Sequence, residues 1–174
     1  VGRYVRAFCQ DGRKFIYCAV DKLLSLASTG QNSDSHSILS RLTRNGVVTP
    51  TTQIFPLPLT PSHFVMNLPA TAIEFCDSFS GLYAGHDKLF QPYTERALPM
   101  VHVHCFSTKS KDNMRESIEI CDRISRVMKT SIRPRLTAGA LEEGEARIWD
   151  VREVAPKKRM FCAEFQIPSE VAFR

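Results

Sequence analysis

The residues that could do chemistry stand at a few well-separated places. Asp11-Gly12 closes a short β-prone run, Arg3 to Cys9. A carboxylate just beyond a strand can accept a hydrogen bond from an adenine amino group, and Gly lets the backbone approach a ligand closely. The same pair also suits a plain Asp-Gly turn. Asn67-Leu68-Pro69-Ala70 follows the apolar run His63-Phe64-Val65-Met66. An Asn amide both donates and accepts, which suits holding a base or a cofactor main chain. Equally, Asn before a proline-opened helix makes a cap. Both readings stand for each motif.

His102, His104 and Cys105 invite a metal reading, but on a strand the two histidines share one face and the cysteine takes the other. No metal is expected there. Ser107 lacks the Gly-x-Ser-x-Gly context of a nucleophile elbow. Lys157-Lys158-Arg159 and Arg133-Pro134-Arg135 are basic loop clusters, either solvated turns or contacts to RNA phosphates. Trp149 is expected in the core. The eight glycines include no G-x-G, so the Gly-rich turn that opens a nucleotide-binding sheet is not in this chain.

Elements must position these groups. Ile16, Val20, Leu23 and Ala27 recur at helical spacing, predicting a helix over 13–27. Residues 28–62 lose periodicity and hold Pro50, Pro56, Pro58 and Pro61, which predicts a structureless insertion without a central strand. Strands are expected over 3–9, 63–67, 100–106, 147–154 and 160–167, and helices over 70–80 and 112–129. In the last helix Met114, Ile118, Cys121, Ile124 and Val127 should face inward, with Glu119–Arg123 and Asp122–Arg126 pairs outside. Residues 131–146 read as loop. Alternating strands and helices argue for an α/β fold with a mostly parallel sheet, and the closing strand pair adds an antiparallel strand. Ligands of such sheets bind beyond the carboxyl ends of the strands, which puts Asp11, Asn67 and Ser107 along one rim.

Composition sets the outer bounds. A chain of 174 residues, 43% apolar and 24% charged, is an ordinary globular domain, and collagen-like, disordered and disulfide-scaffold classes are excluded. No apolar run approaches the roughly 20 residues that cross a bilayer. Six scattered cysteines without a C-x-x-C pair read as buried thiols in a reducing compartment. The net charge of +5 lies mostly in residues 88–174, which favours a polyanion as partner. With Val1 first and no signal-peptide shape, a piece of a longer protein is expected.

Three segments together resemble one family: Val65-Met66-Asn67-Leu68-Pro69-Ala70-Thr71-Ala72-Ile73-Glu74-Phe75, Pro99-Met100-Val101-His102-Val103-His104-Cys105-Phe106, and Val151-Arg152-Glu153-Val154-Ala155-Pro156-Lys157-Lys158-Arg159-Met160. They are similar to the archaeal and eukaryotic tRNA (guanine(37)-N1)-methyltransferases, which use S-adenosylmethionine on a class I, Rossmann-like methyltransferase fold. Asp11-Gly12-Arg13-Lys14-Phe15 looks like that family's Asp-Gly motif after its third strand. The resemblance covers the chain apart from 28–62 and the loop near 131–146.

It implies that residues 1–174 are the C-terminal portion of one catalytic domain, with a loop insertion at 28–62. It implies that Asp11, Gly12 and Asn67 contact S-adenosylmethionine, and that Asn67 and Pro69 stand close to the target guanine. Lys157, Lys158 and Arg159 would touch the tRNA, although Lys157 stands where the family has Asn. The family's glycine-rich motif, ribose-binding acid, and catalytic Glu and Arg precede the part seen here, so no general base is assigned. The resemblance further implies a monomer working in cytoplasm, nucleus or mitochondrial matrix, away from membranes. Two other readings remain: the related wybutosine-pathway aminocarboxypropyl transferase, and a non-catalytic RNA-binding remnant.

Overall fold

The computed structural model describes residues 5, 7–28, 36–44, 47–55, 58–108, 110–156 and 158–174. Two compact units are present, Val1–Pro61 and Ser62–Arg174. Among the described residues, no helix is long and apolar enough to cross a membrane.

In the first unit, helix α1 spans Gly12–Ser28, close to expectation, with Ile16 and Val20 buried. Asp11 caps it: Oδ1 accepts from the backbone N–H groups of Arg13 and Lys14, both at 3.1 Å. Of the strand expected over 3–9, Val5 and residues 7–9 are irregular, and the remainder lies outside the described residues. The segment expected to be structureless instead holds an antiparallel pair, β1 (His36–Arg44) and β2 (Val47–Phe55). Val47, Val48, Thr49, Thr51, Thr52 and Ile54 give β2 high strand preference. Pro50 pairs opposite Arg41, and in a two-stranded ribbon every strand is an edge, where proline's missing N–H is tolerated.

The second unit is an α/β layer. Among the described residues its sheet has five strands in the order β3 (His63–Met66), β4 (Met100–Ser107), β7 (Lys158–Gln166), β6 (Glu145–Ala155) and β5 (Arg133–Pro134). Four strands run one way and β7 runs against its neighbours, β4 and β6, on both sides. The antiparallel strand is therefore last in sequence but central in the sheet. Its residues Phe161, Ala163 and Phe165, with Ile167 just beyond its end, are fully buried, as their alternation predicts. Val101, Val103 and Cys105 of β4 lie beside them on the same face.

That face is covered by helix α2 (Met114–Met128) and a 3₁₀ segment, Ala72–Phe79, which pack on each other and on β4. The 3₁₀ segment replaces the expected helix over 70–80 but buries the expected Ala72, Ile73, Cys76 and Phe79. Helix α2 turns differently from expectation. Ile120, Cys121, Ile124 and Met128 are buried with Glu116, while Met114 and Ile118 face water. The Glu119–Arg123 pair forms at 3.4 Å, and among the described residues Asp122 and Arg126 do not pair. A short helix α3 (Ser169–Ala172) ends the chain.

Candidate functional site

Strands β3 and β4 are parallel and in register, so their carboxyl ends open at one rim. Asn67 follows β3 there and Ser107 ends β4. The backbone folds over at once: the Leu68 carbonyl accepts from the N–H of Thr71 (2.9 Å) and of Ala72 (2.8 Å), and the Pro69 carbonyl accepts from Phe106 N–H (3.2 Å). The last bond crosses from the turn to the end of β4 and holds both at one place.

Asn67 is exposed, and its amide has no hydrogen-bond partner among the described residues. The helical segment begins five residues later with Thr71 at the N-cap position and no side-chain cap. The capping alternative for Asn67 therefore fails, and its amide faces solvent at the rim. Pro69 stands in the turn itself rather than in a first helical turn. Asp11 and Gly12 lie in the first unit, where Asp11 acts as the cap of α1. Of the two readings for that motif, a local structural role is the one with geometry behind it.

Among the basic residues, Lys157 lies outside the described residues. Lys158 is exposed, with Nζ 4.1 Å from the centroid of the Phe106 ring. Arg159 is held by Asp150 at 3.0 Å, and Asp150 also accepts from the Asn113 amide at 3.0 Å. Arg133 and Arg135 are likewise matched by acids, Arg133 by Glu142 and Glu145 at 3.6 and 3.5 Å and Arg135 by Glu145. Of these described cations, Lys158 forms no ion pair, whereas Arg159, Arg133 and Arg135 do.

Sequence reasoning missed Glu116. Placed three residues inside α2, it is buried and accepts hydrogen bonds from the hydroxyls of Ser110 and Thr108 (3.2 Å for Thr108). Burial alone would raise its carboxyl. The bonds from Ser110, its own N–H and Thr108, with the Arg115 charge, outweigh that and hold it below the usual range. An S/T-x-x-E spacing would have been the signal, but here the hydroxyls come from the preceding loop at longer intervals.

On the other face of the sheet a hydrogen-bonded chain crosses four strands. His63 Nδ1 lies 2.9 Å from His102 Nε2, His102 Nδ1 lies 3.0 Å from Glu164, and Trp149 Nε1 donates to Glu164 at 2.6 Å. Trp149 is thus 49% exposed on an open sheet face rather than in the core. His102, Cys162 and Glu164 bring possible ligand atoms within 4.8 Å of one another. The imidazole and carboxylate already bond to each other, and burial followed by the Glu164 charge pushes the Cys162 thiol up to about 11, so it is no ready thiolate. His104 and Cys105 point to opposite faces, as expected. Four cysteines are buried, whereas Cys9 and Cys18 are exposed, and all six are free thiols.

No family model matches the chain, and no solved structure matches it. Curated relatives do. The tRNA (guanine(37)-N(1))-methyltransferase of Neurospora crassa is 45% identical over 178 residues, covering 99% of this chain and 35% of the relative. The protein of the same name from Fusarium vanettenii is 45% identical over 174 residues, covering 99% and 36%. That of Phaeosphaeria nodorum is 53% identical over 125 residues, covering 67% and 27%. The chain spans about a third of the length of the first two of these relatives. With such identity running along nearly the whole chain, it belongs to the family of the tRNA (guanine(37)-N1)-methyltransferases.

Proposed function

We propose that the full-length protein transfers a methyl group from S-adenosylmethionine to N1 of guanosine 37 in tRNA. Residues 1–174 would supply the rear part of a class I methyltransferase domain. The observation that carries this is the unpartnered Asn67 amide at the rim of β3 and β4, inside the segment shared with relatives of that name. The reversed strand β7 between β4 and β6 supports the fold assignment, as does the α/β layering.

The chemistry sets what this chain must do. Guanine N1 carries a proton and is a poor nucleophile until a base removes it and charge on O6 is stabilised. S-adenosylmethionine supplies an already activated methyl group. What remains is alignment, and a water-facing amide fixed by a tied turn is suited to that. Asn67 holds the base or the amino-acid end of the cofactor, and Pro69 shapes the turn beside it. Asp11 and Gly12 lie near the cofactor only if the Asp11 carboxylate serves a ligand as well as its helix. The general base comes from the remainder of the protein, and the enzyme acts as a monomer in cytoplasm, nucleus or mitochondrial matrix.

The test is single-turnover reaction of the full-length protein with tRNA carrying guanosine or adenosine at position 37, followed by mass analysis of the nucleosides. Methylated guanosine only with the guanosine substrate is the expected result. An aminocarboxypropyl product, or none, overturns the proposal.

A further inference from the structure

At the carboxyl end of β4 a cleft of about 550 Å³ is lined by Phe106, Ser107 and Thr108 together with Arg115, Lys158 and the acids Glu116 and Glu119. Charge counting alone makes it neutral. The hydrogen bonds do not. Glu116 is buried and engaged by Ser110 and Thr108. Glu119 accepts from Ser107 and pairs with Arg123. Glu119 is thus offset by Arg123, Glu116 stays ionised but buried under hydroxyl donors, and the two hydroxyls at the mouth already direct their protons at carboxylates.

Neither cation has an acidic partner at ion-pair distance among the described residues, although the Arg115 charge acts on Glu116. Lys158 Nζ rests over the Phe106 ring at 4.1 Å, and among the described residues neither it nor Arg115 forms an ion pair. An exposed cation–π contact is weak, so the ammonium is held in place yet keeps its charge for an anion. With hydroxyl donors engaged and Glu119 offset by Arg123, an incoming ligand meets Arg115 and Lys158 against one buried carboxylate, a net positive charge over an aromatic floor.

The cleft is joined to the proposed reaction site. Phe106, its floor, donates its backbone N–H to Pro69 of the turn that Asn67 begins. We infer that this cleft is a phosphodiester subsite, in which Arg115 and Lys158 seat one of the two phosphates flanking the nucleotide that is methylated. This deepens the methyl-transfer reading and rests on it. Arg115 thereby becomes a positioning residue for the RNA. It stands well apart from the basic tripeptide in sequence.

The experiment uses the full-length protein and tRNA with a methylphosphonate, which removes one phosphate charge, at either side of guanosine 37. One methylphosphonate should weaken binding to the wild type on the order of tenfold and lower the salt slope by about one unit or less. Arg115→Gln and Lys158→Gln should each weaken binding of unmodified tRNA, with the effect in KM. The double variant should lose little further on that methylphosphonate tRNA, and Lys158→Arg should restore binding. The methylphosphonate arm on wild-type protein needs no variant to fold. If neither methylphosphonate weakens binding, or the losses simply add, the subsite assignment is wrong. Wild-type methylation of unmodified tRNA, measured alongside, separates that outcome from failure of the methyl-transfer reading.

Discussion

The backbone N–H of Phe106 donates to the carbonyl of Pro69 across 3.2 Å, tying the end of one strand to the turn that follows its parallel neighbour. Asn67 stands at the start of that turn with its amide unpartnered. Because it caps no helix, Asn67→Ala should leave the melting temperature nearly unchanged. Loss of positioning should slow single-turnover methylation by about 10²-fold or more. Thermal melting and rapid-quench kinetics on the full-length protein check both. A large fall in melting temperature with an intact rate in the folded fraction would show a structural residue.

Glu116 joins the loop after β4 to the first turn of α2. Its folded-state pKa lies below the unfolded value, so its contribution to stability is present above the unfolded pKa and is lost as pH falls through the folded one. Glu116→Ala should destabilise by about 1–2 kcal/mol through lost hydrogen bonds and a weakened helix start. The gap in melting temperature between wild type and Glu116→Gln should be widest at neutral pH and close in acid. A gap that grows on acidification would contradict the assignment.

Thiol chemistry should divide the six cysteines. Cys9 and Cys18 are exposed, while burial raises Cys76 and pushes Cys105 and Cys121 up to about 12. Alkylation of the native protein followed by peptide mapping should label Cys9 and Cys18 promptly and Cys76, Cys105, Cys121 and Cys162 only after denaturation. Prompt labelling of Cys105 would mean that the covered sheet face is open.

Phe165 is fully buried in the central strand β7, facing Val101 on one side and Ala146 on the other. Phe165→Ala should cost about 3–5 kcal/mol, read as a shift in the denaturant midpoint. A loss under 1 kcal/mol would place the strand at an edge instead.

Residues 1–174 alone should not bind S-adenosylmethionine tightly, because no G-x-G turn is present to cradle it. Calorimetry on that segment should show no low-micromolar site. Such a site would mean that the binding groups lie within these residues after all.

Local pattern was enough to find most elements of the second unit, and the relatives bear out the family that its motifs resemble. Alternation in Phe161, Ala163, Phe165 and Ile167 and the spacing of Ala72, Ile73, Cys76 and Phe79 are properties of neighbours in sequence, so they survive without the fold. The pair β1–β2 carried a readable signal too, since Asn45-Gly46 separates its strands in sequence, but Pro50 inside β2 is by itself a signal against a strand. Other features depended on partners far along the chain. Whether Asn67 capped a helix was set by where the 3₁₀ segment began. Whether Arg159 or Lys158 kept a free charge was set by Asp150 and Phe106, from other strands. Trp149 is open because its strand face has no covering element among the described residues, and Glu116 is buried because a loop folds hydroxyls onto it. The sequence alone determined which residues alternate, cap and turn. Tertiary structure decided which strand lies in the middle and which charges remain free, because burial and pairing belong to contacts between elements and not to any one of them.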